Sequence, residues 1–526
     1  MLAVCGLRAA PVINSVSPNA NQVGRYEKLE LTIGLTAAFT NAFDPDQIDL
    51  SAEFTAPTTR SFWHKSPPPK VWRVNGFFDG TQWKIRFAPN QTGRWSYVVR
   101  ACDASGRVRA AAGQFTCVAS TNHGWVRVAP NHRYLIQDDG TSFYGVGACY
   151  PWSNTTAGFD QMRALGFNLY VYWNGTYDQG GGNNLIESLA SGLGHYDQGK
   201  CRRIDELITE SEARGLGMIL VIWPHDYLCE NMGGWPARWD LNPYHTITTS
   251  QAFYGDTNAW ALQEKMYRYI IARWGYSPAL AGWQTIDEIS GTSGWRDDEA
   301  AANEWATQIA RFFKTNDPFQ HPTTASHGDF WDHGNQVNNL SNTEIYGDYS
   351  VQNIATTAQK LWNHYDQPCL MGEMGLDRKG NLNHRKIWTG LASGLAVTPL
   401  LWSFNQGWST NAASQYAPFN RFIARIDFAR LTAPAQAVVR VAGAQAYGIT
   451  SDQLTFGWLT GNFAGQNLEV SGLHHRAYRL EWWNCETGTV FSTNRIMVTD
   501  GSIAAAIPPS DQEDLAFKII PGEANH

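Results

Sequence analysis

The sequence predicts a multidomain fold that combines α/β and all-β regions: a central (β/α)8 barrel flanked by N- and C-terminal β-sandwiches. Apolar and polar residues alternate in short segments at both ends of the chain, as in half-buried strands. Between these segments, apolar strand patterns alternate with amphipathic helices. The length of 526 residues is sufficient for more than one domain.

The N-terminal region, residues 1–120, has the pattern of a β-sandwich. In WKIRFAP (83–89) and RWSYVVRA (94–101), aromatic and aliphatic residues occupy every second position, which places them on one face of each strand. KLELTIGL (28–35) alternates in the same way. Turns rich in Gly, Asn and Pro separate these segments, which predicts a sandwich of about seven strands.

Residues 121–432 are predicted to form the barrel. An entry hairpin is predicted at 134–143 with Asp139-Gly140 at its turn. Helical spacing of apolar residues is clear in 202–215, 260–274 and 303–314. The predicted strands are 143–149, 167–173, 217–223, 280–288, 321–327, 344–349, 369–375 and 397–404. Eight strand–helix units match a TIM barrel. The alternative, an open doubly wound sheet, is disfavoured because the region has no glycine-rich phosphate loop.

Residues 433–526 return to the alternating pattern. LTFGWL (454–459), YRLEWWN (478–484) and TVFST (489–493) are predicted strands, and Glu486-Thr487-Gly488 forms a hairpin turn. These segments predict a C-terminal β-sandwich.

The composition favours a protein that binds neutral carbohydrate. The chain has 23 tryptophans, whereas only 17% of its residues are charged. Indole rings stack on the C–H faces of sugars, although most of these tryptophans are expected to lie in the core. The net charge of −7 provides no basic patch, so we expect neither nucleic acid nor membrane as a partner. The longest apolar run, 391–404, is too short to span a bilayer.

The eight cysteines do not have the spacing of zinc ligands. We therefore expect no metal and no cofactor. Cys102 and Cys117 flank a hairpin-like segment and could form a disulfide in an oxidising compartment, and Cys201 with Cys229 is a second candidate pair. The N-terminal residues lack the basic start of a complete signal peptide. The expected location is secreted or periplasmic in a bacterium, with the signal peptide absent or trimmed; the oligomeric state is left open.

Two glutamates are the leading candidates for catalysis. Glu288 ends the strand pattern of GWQTIDE (282–288), and Glu373 lies in PCLMGEMG (368–375). An ionisable side chain at the end of an apolar strand is poorly placed for packing but well placed for chemistry. Because the carboxyl ends of barrel strands meet at one face, the two carboxylates are predicted to share a pocket, as glycoside hydrolysis requires. The alternative to a catalytic role is a structural one, in which the two glutamates form salt bridges that close the barrel mouth.

The other strand ends carry aromatic, acidic and histidine side chains, with little lysine or arginine. This set suits polyhydroxy ligands better than phosphates. Each histidine is equally compatible with a structural hydrogen bond. The candidate substrate-binding residues are Trp173, His225, Asp287, His327, Tyr346, Trp402 and Asn405.

These strand-end residues resemble those of clan A of the retaining glycoside hydrolases, a group that includes many cellulases and mannanases. That clan has an acid/base glutamate after strand four and a nucleophile glutamate after strand seven. It often has a tyrosine after strand six and a tryptophan that ends strand eight. By resemblance, these roles fall on Glu288, Glu373, Tyr346 and Trp402. Tyr346 is expected to steady Glu373, and Trp402 to form the floor beneath the sugar.

The resemblance extends to both flanking regions. YEKLELT (26–32) and residues 83–99 are similar to an uncharacterised β-sandwich domain that commonly precedes such barrels in bacteria. The C-terminal segment resembles a small β-domain that is sometimes labelled as collagen-binding.

One residue departs from the clan. Asn usually precedes the acid/base glutamate and hydrogen-bonds the sugar 2-hydroxyl, whereas this chain has Asp287. The resemblance implies a retaining hydrolase that cleaves β-glycosidic bonds of a plant or algal poly- or oligosaccharide through a covalent glycosyl-enzyme. Sugar identity and endo or exo action are left open. The alternative that Asp287 favours is a non-catalytic glycan-binding protein. A different barrel chemistry, such as that of a metal-dependent hydrolase or a polysaccharide lyase, is a third possibility, although HxH and HExxH motifs are absent from the sequence.

Overall fold

The computed structural model describes residues 10–58, 68–174, 185–231, 237–375, 383–404, 408 and 410–522. The chain divides into two compact units, each discontinuous in sequence. The first comprises residues 1–126, 173–213 and 220–323, and the second comprises residues 127–172, 214–219 and 324–526. The division into three domains at residues 1–120, 121–432 and 433–526, which the sequence patterns predict, stays a prediction.

The N-terminal strands form two sheets, as predicted. The first has the order β1-β3-β7-β6, and the second has the order β2-β10-β8-β4-β5 with β9 paired to β8. The rings of Phe54 and Phe87, one from each sheet, stack with centroids 4.2 Å apart, so the apolar faces of the two sheets pack together. Trp95, Tyr97 and Val99 are buried on one face of β8, as predicted. The strands are β1 (Val12–Pro18), β2 (Gln22–Gly24), β3 (Leu29–Thr36), β4 (Ile48–Thr55), β5 (Val71–Asn75), β6 (Phe77–Phe78), β7 (Trp83–Phe87), β8 (Gly93–Asp103), β9 (Gly106–Arg109) and β10 (Gly113–Val118).

Next along the chain is a small three-stranded sheet of β11 (Val126–Val128), β12 (Leu135–Gln137) and β13 (Ser142–Phe143). Strands β12 and β13 pair antiparallel. Gly140 lies in the intervening turn with φ +94°, a conformation that favours glycine. The predicted entry hairpin is therefore confirmed.

A parallel eight-stranded sheet forms a near-closed barrel of the TIM type. Its order is β18-β17-β16-β15-β14-β21-β20-β19, so barrel strands one to eight follow one another in cyclic order. The gap in this order lies between β18 and β19, where Thr324 Oγ1 donates to Leu340 O at 3.3 Å. The strands are β14 (Gly147–Cys149), β15 (Leu169–Trp173), β16 (Gly217–Trp223), β17 (Leu280–Ile286), β18 (Thr323–Thr324), β19 (Ser341–Ile345), β20 (Cys369–Gly375) and β21 (Leu401–Trp402).

Several barrel strands differ from their predicted limits. Strand eight was predicted at 397–404 but is only Leu401–Trp402; Pro399 lacks the N–H needed to extend its ladder. Strand six begins at Ser341 and ends at Ile345, three residues earlier than the predicted start. This shift moves Glu344 from the start of the strand to its interior.

Helices alternate with the barrel strands, and several begin at side-chain caps. Asp256 accepts hydrogen bonds from the N–H groups of Asn258 and Ala259, and Asp298 and Ser350 cap two further helices in the same manner. The helices are α1 (Thr156–Ala164), α2 (Gln198–Arg214), α3 (Thr257–Trp274), α4 (Ser293–Asp297), α5 (Glu299–Asn316), α6 (Asp332–Val337), α7 (Val351–His364), α8 (Asn383–Ala392), α9 (Thr410–Ser414) and α10 (Tyr416–Ile423), with short 3₁₀ helices at His225–Leu228, Trp239–Leu241, Pro243–Thr246, Ile289–Gly291 and Phe428–Arg430.

The C-terminal strands form a six-stranded sheet, β22-β24-β25-β30-β27-β28, and a three-stranded sheet, β23-β26-β29. A shared apolar core includes Leu459, Val470, Trp482 and Phe517, which confirms the predicted sandwich. The strands are β22 (Ala435–Gln436), β23 (Val438–Arg440), β24 (Ala444–Thr450), β25 (Thr455–Gly461), β26 (Asn467–Ser471), β27 (Ala477–Asn484), β28 (Thr489–Met497), β29 (Ser502–Ala506) and β30 (Asp514–Pro521).

A buried ionic network connects the N-terminal sandwich to barrel helices within the first unit. Arg86 of β7 is only 6% exposed and contacts Glu30 at 2.8 Å and Asp205 of α2 at 2.7 Å. Arg273 of α3 contacts the other oxygen of Asp205 at 2.6 Å. Although burial opposes it, the hydrogen bonds and charges of Arg273 and Arg86 lower the pKa of Asp205 to about 2. This carboxylate therefore stays ionised between two buried guanidinium groups.

The candidate disulfide between Cys102 and Cys117 does not form, because both thiols are free. Cys117 of β10 pairs with Gly93 of β8, and Cys102 lies nine residues further along β8, on the order of 30 Å away. Cys201 and Cys229 are also free and buried. Among the described residues, no helix is long and apolar enough to cross a membrane.

Candidate active site

Glu288 follows barrel strand four in a strained backbone conformation. The strand ends at Ile286, and the Asp287 N–H still donates to Trp223 O at 3.0 Å, continuing the ladder for one residue. Glu288 then adopts φ +47° and ψ +58°, in the left-handed region. This conformation costs a residue other than glycine about 1–2 kcal/mol. Such strain is concentrated at functional sites, and the residue is 9% exposed.

His225 contacts both carboxylates at the end of strand four. It opens the short helix after strand three, and its Nδ1 lies 3.4 Å from Glu288 Oε2 and 3.9 Å from Asp287 Oδ2. Its ring meets the Trp173 ring edge-on, with centroids 5.7 Å apart. The first unit therefore brings together Trp173, His225, Asp287 and Glu288, all predicted from the sequence.

Gln284 is a residue of this group that sequence analysis missed. It is 2% exposed on strand four, and its Nε2 donates to Asp287 Oδ1. This amide fixes the orientation of the Asp287 carboxylate. The available signal was a polar side chain within the apolar strand pattern of GWQTIDE (282–288), since a buried polar side chain needs a partner.

His225, Asp287 and Glu288 also meet the minimum for a metal site. Each offers one ligand atom, and these three atoms lie within 4.8 Å of one another. One nitrogen and two oxygen donors are compatible with zinc or a similar divalent ion.

In the second unit, Glu373 lies beside a second buried glutamate. Strands β19 and β20 are parallel, and their register changes from Thr343↔Met371 to Glu344↔Glu373. This irregularity leaves Gly372 without a partner, and its N–H donates instead to Asn342 Oδ1 at 2.8 Å. Glu344 and Glu373 are 3% and 4% exposed, and each offers a carboxylate oxygen within 4.8 Å of the other.

Tyr346 is oriented toward Glu344. Its hydroxyl donates to Glu344 Oε2 at 2.9 Å, and the residue is 40% exposed. The predicted role of Tyr346, to steady Glu373, stays a prediction. Glu344 itself was missed because the predicted strand six began at this residue, whereas it lies within the strand.

Trp402 ends strand eight and meets Trp152 edge-on, with ring centroids 5.2 Å apart. Trp152 was not predicted from the sequence.

His327 is half-buried after strand five, and its Nδ1 accepts a hydrogen bond from the Asp329 N–H at 3.0 Å. The ring can therefore carry its proton on Nε2. Asn405 lies outside the described residues.

Comparison with known proteins identifies the architecture. Residues 22–101 match the model of a family described as a domain of unknown function, DUF5060. No curated protein matches the chain. A solved structure of a candidate glycoside hydrolase from Bacteroides vulgatus ATCC 8482 is similar over 96% of this chain and 100% of its own, with a TM-score of 0.67 and 16% identity. A family 5 glycoside hydrolase from the same organism covers 77% of this chain and 94% of its own, with a TM-score of 0.51 and 11% identity.

The chain shares the fold of these glycoside hydrolases. A further structure described as a glycoside hydrolase is similar over 77% of this chain and 98% of its own, with a TM-score of 0.51 and 12% identity. At such identities the likeness concerns the fold, and one fold supports many chemistries. The resemblance of the C-terminal sandwich to a collagen-binding-like domain stays a prediction.

Proposed function

We propose that this protein is a retaining glycoside hydrolase that cleaves β-glycosidic bonds of a plant or algal poly- or oligosaccharide. The observation that carries the proposal is the placement of two buried glutamates, Glu288 and Glu373, at the carboxyl ends of strands four and seven of one parallel sheet. In TIM barrels, catalytic residues occupy this end of the strands. The shared fold with glycoside hydrolases supports the same conclusion.

The proposed reaction has two steps. In the first, the ionised Glu373 attacks the anomeric carbon while the protonated Glu288 donates its proton to the departing glycosidic oxygen. In the second, Glu288 takes a proton from water, and the resulting oxygen nucleophile displaces Glu373 from the anomeric carbon. Two displacements at one carbon retain its configuration and require carboxyl groups about 5–5.5 Å apart.

The neighbouring residues support these roles. His225, 3.4 Å from Glu288, would orient the acid, and Gln284 would hold Asp287 toward the sugar 2-hydroxyl. Trp173 and Trp402 offer aromatic faces for sugar rings, and Tyr346 and His327 would bind hydroxyl groups.

The proposal includes a location outside the cytoplasm, either secreted or periplasmic, because polymeric substrates do not enter cells.

The test is hydrolysis of a polysaccharide panel by the wild type and by Glu288→Gln, Glu373→Gln and Asp287→Asn. The two glutamine variants are expected to lose at least about 1,000-fold in kcat/KM, since each removes a reacting group. Asp287→Asn restores the residue usual in the clan and is expected to retain most activity. Activity that survives in Glu288→Gln but disappears in Asp287→Asn would make Asp287 the acid instead.

A non-catalytic glycan-binding protein is the second candidate, and Asp287 is the observation that favours it. It predicts that glycans bind to the wild type but that no product forms on any panel member. Metal analysis of the purified protein tests the third possibility, a metal-dependent hydrolase. A stoichiometric ion that is lost in His225→Ala would favour a metal-dependent hydrolase over the two-glutamate mechanism.

A further inference from the structure

A cavity of about 350 Å³ lies at the C-terminal sandwich, within the second unit. It is within the size range of small-ligand sites. Four cationic side chains line it, whereas only two carboxylates do. The cations are Arg425, Arg430, Arg479 and Lys518, and the carboxylates are Asp427 and Glu481.

Lys518 is the buried cation of this cavity. It lies on β30 and is 2% exposed. Its Nζ donates to Phe422 O, at the carboxyl end of α10, at 2.6 Å, and it lies 4.4 Å from the Phe422 ring centroid and 4.5 Å from that of Trp483. In the described part of the chain its ammonium has no other hydrogen bond and no ion pair within 4 Å. An ammonium has three donors, so two remain to be satisfied.

The cavity carries an excess of positive charge. Glu481 is the cross-strand partner of Lys518, but its Oε1 contacts Arg479 at 3.0 Å and its Oε2 accepts a hydrogen bond from Trp483 Nε1 at 3.1 Å. Asp427 lies 3.5 Å from Arg430. Arg425 is exposed and has neither an ion pair nor a hydrogen bond with any described residue. Two carboxylates thus neutralise two arginines and leave Arg425 and Lys518 without a direct counter-charge.

The electrostatics of Lys518 agree with this count. Burial and the charge of Arg425, opposed by the charge of Glu481, together lower the pKa of Lys518 from 10.5 to about 8. Capping of the α10 carboxyl end accounts for one hydrogen bond of this lysine. It does not account for a second cation, Arg425, close enough to repel it.

We propose that this cavity binds a small oxyanion, which contacts Arg425 and Lys518 and supplies the missing counter-charge. The ligand chemistry is a carboxylate, sulfate or phosphate oxygen pair, carried either by an acidic sugar unit of a glycan or by a free inorganic ion. Arginine and lysine together bind such groups through charge-assisted hydrogen bonds. The inference does not depend on the proposed hydrolase activity, because none of these residues belongs to the candidate active site.

The experiment is isothermal titration of the full chain with sodium sulfate, with an oligogalacturonate and with a neutral cello-oligosaccharide of equal length. The decisive variant is Arg425→Gln, which removes no hydrogen bond or ion pair with the described residues and is therefore expected to fold. We expect Arg425→Gln to weaken anion binding tenfold or more, where tenfold in Kd corresponds to about 1.4 kcal/mol of binding free energy. The matched control is Arg440→Gln, which removes an exposed arginine of the same sandwich outside the cavity and should leave binding unchanged.

The two anionic ligands distinguish the sources. Arg425-dependent binding of oligogalacturonate but not sulfate assigns the site to an acidic glycan, and the reverse assigns it to a free oxyanion. Equal affinity of wild type and Arg425→Gln for both anions would overturn the proposal, as would equal binding of the neutral oligosaccharide at the same site. Lys518→Met, if folded by its thermal transition, should abolish binding. Glu373→Gln should bind the anion as the wild type does, so failure of the hydrolase proposal leaves this result unaffected.

Discussion

Glu344 and Glu373 are register partners on neighbouring parallel strands, and their carboxylate oxygens approach within 4.8 Å. Both residues are almost completely buried. Two carboxylates that share a buried site repel each other when both are ionised. The proposed nucleophile therefore has a neighbour that repels it whenever both are ionised, an arrangement that reduces stability and is typical of catalytic sites rather than of packing.

Replacing Glu344 should reveal this repulsion. Glu344→Gln is expected to raise the free energy of unfolding at pH 7 by on the order of 1 kcal/mol, because the neutral amide removes one of two nearby charges. Urea denaturation measures the change. Glu304→Gln, on the exposed face of α5, is the control and should stay within about 0.5 kcal/mol of the wild type. A loss of stability in Glu344→Gln would show that the ionised Glu344 is instead held by favourable partners.

The irregular register at Gly372 should be necessary for activity. A Cβ at this position would lie 2.5 Å from Asn342 Nδ2, the side chain that accepts the Gly372 N–H through its Oδ1. Gly372→Ala should displace the adjoining Glu373 and lower kcat/KM by about 100-fold, as small misplacements of catalytic groups do. Gly255→Ala, where the nearest atom is 4.0 Å away, is the matched control with unchanged activity. Full activity in Gly372→Ala would mean that the Asn342 side chain moves aside without displacing Glu373.

The left-handed backbone at Glu288 has a measurable cost. Glycine adopts φ +47° without the steric penalty that alanine incurs. Glu288→Gly should therefore be more stable than Glu288→Ala by about 1 kcal/mol, even though glycine usually loses more conformational entropy on folding. Thermal or urea denaturation of the two variants makes the comparison, and both lack the carboxylate. Greater stability of the alanine variant would show that the loop relaxes when the glutamate is removed.

The buried network around Asp205 predicts a pH dependence. Asp205→Asn should cost about 3 kcal/mol at pH 7, because it leaves buried guanidinium groups without their carboxylate. The pKa of Asp205 is lowered from 3.8 to about 2, so its contribution is complete above about pH 4 and is lost as the pH falls toward 2. The stability difference between wild type and variant should shrink over that range.

The control for Asp205 is an exposed ion pair of equal length. Asp160 is 65% exposed in its side chain and contacts Arg214 at 2.7 Å, the distance between Arg86 and Asp205. Asp160→Asn should cost less than about 1 kcal/mol. Equal costs for the two variants would contradict the role assigned to burial.

Sequence patterns predicted those parts of the fold that depend on local periodicity. The alternation in residues 94–101 placed Trp95, Tyr97 and Val99 on the buried face of β8. Glu288 and Glu373 were found because an ionisable residue interrupts an apolar strand. Features set by pairing between distant segments could not be predicted. The register change at Gly372, which makes Glu344 the neighbour of Glu373, has no local signature. The 102–117 disulfide failed for the same reason, since the register of β8 and β10 separates the two thiols.

The most direct test of the central claim is to identify the carboxylate that forms the covalent intermediate. A 2-deoxy-2-fluoro glycoside of the hydrolysed sugar, with an activated leaving group such as fluoride, should accumulate as the glycosyl-enzyme, because the ring fluorine slows both displacements and the leaving group restores the rate of the first. Peptide mass spectrometry after proteolysis then locates the adduct. We expect one sugar on Glu373, and none in Glu373→Gln. An adduct on Glu344, or inverted product without any adduct, would contradict it.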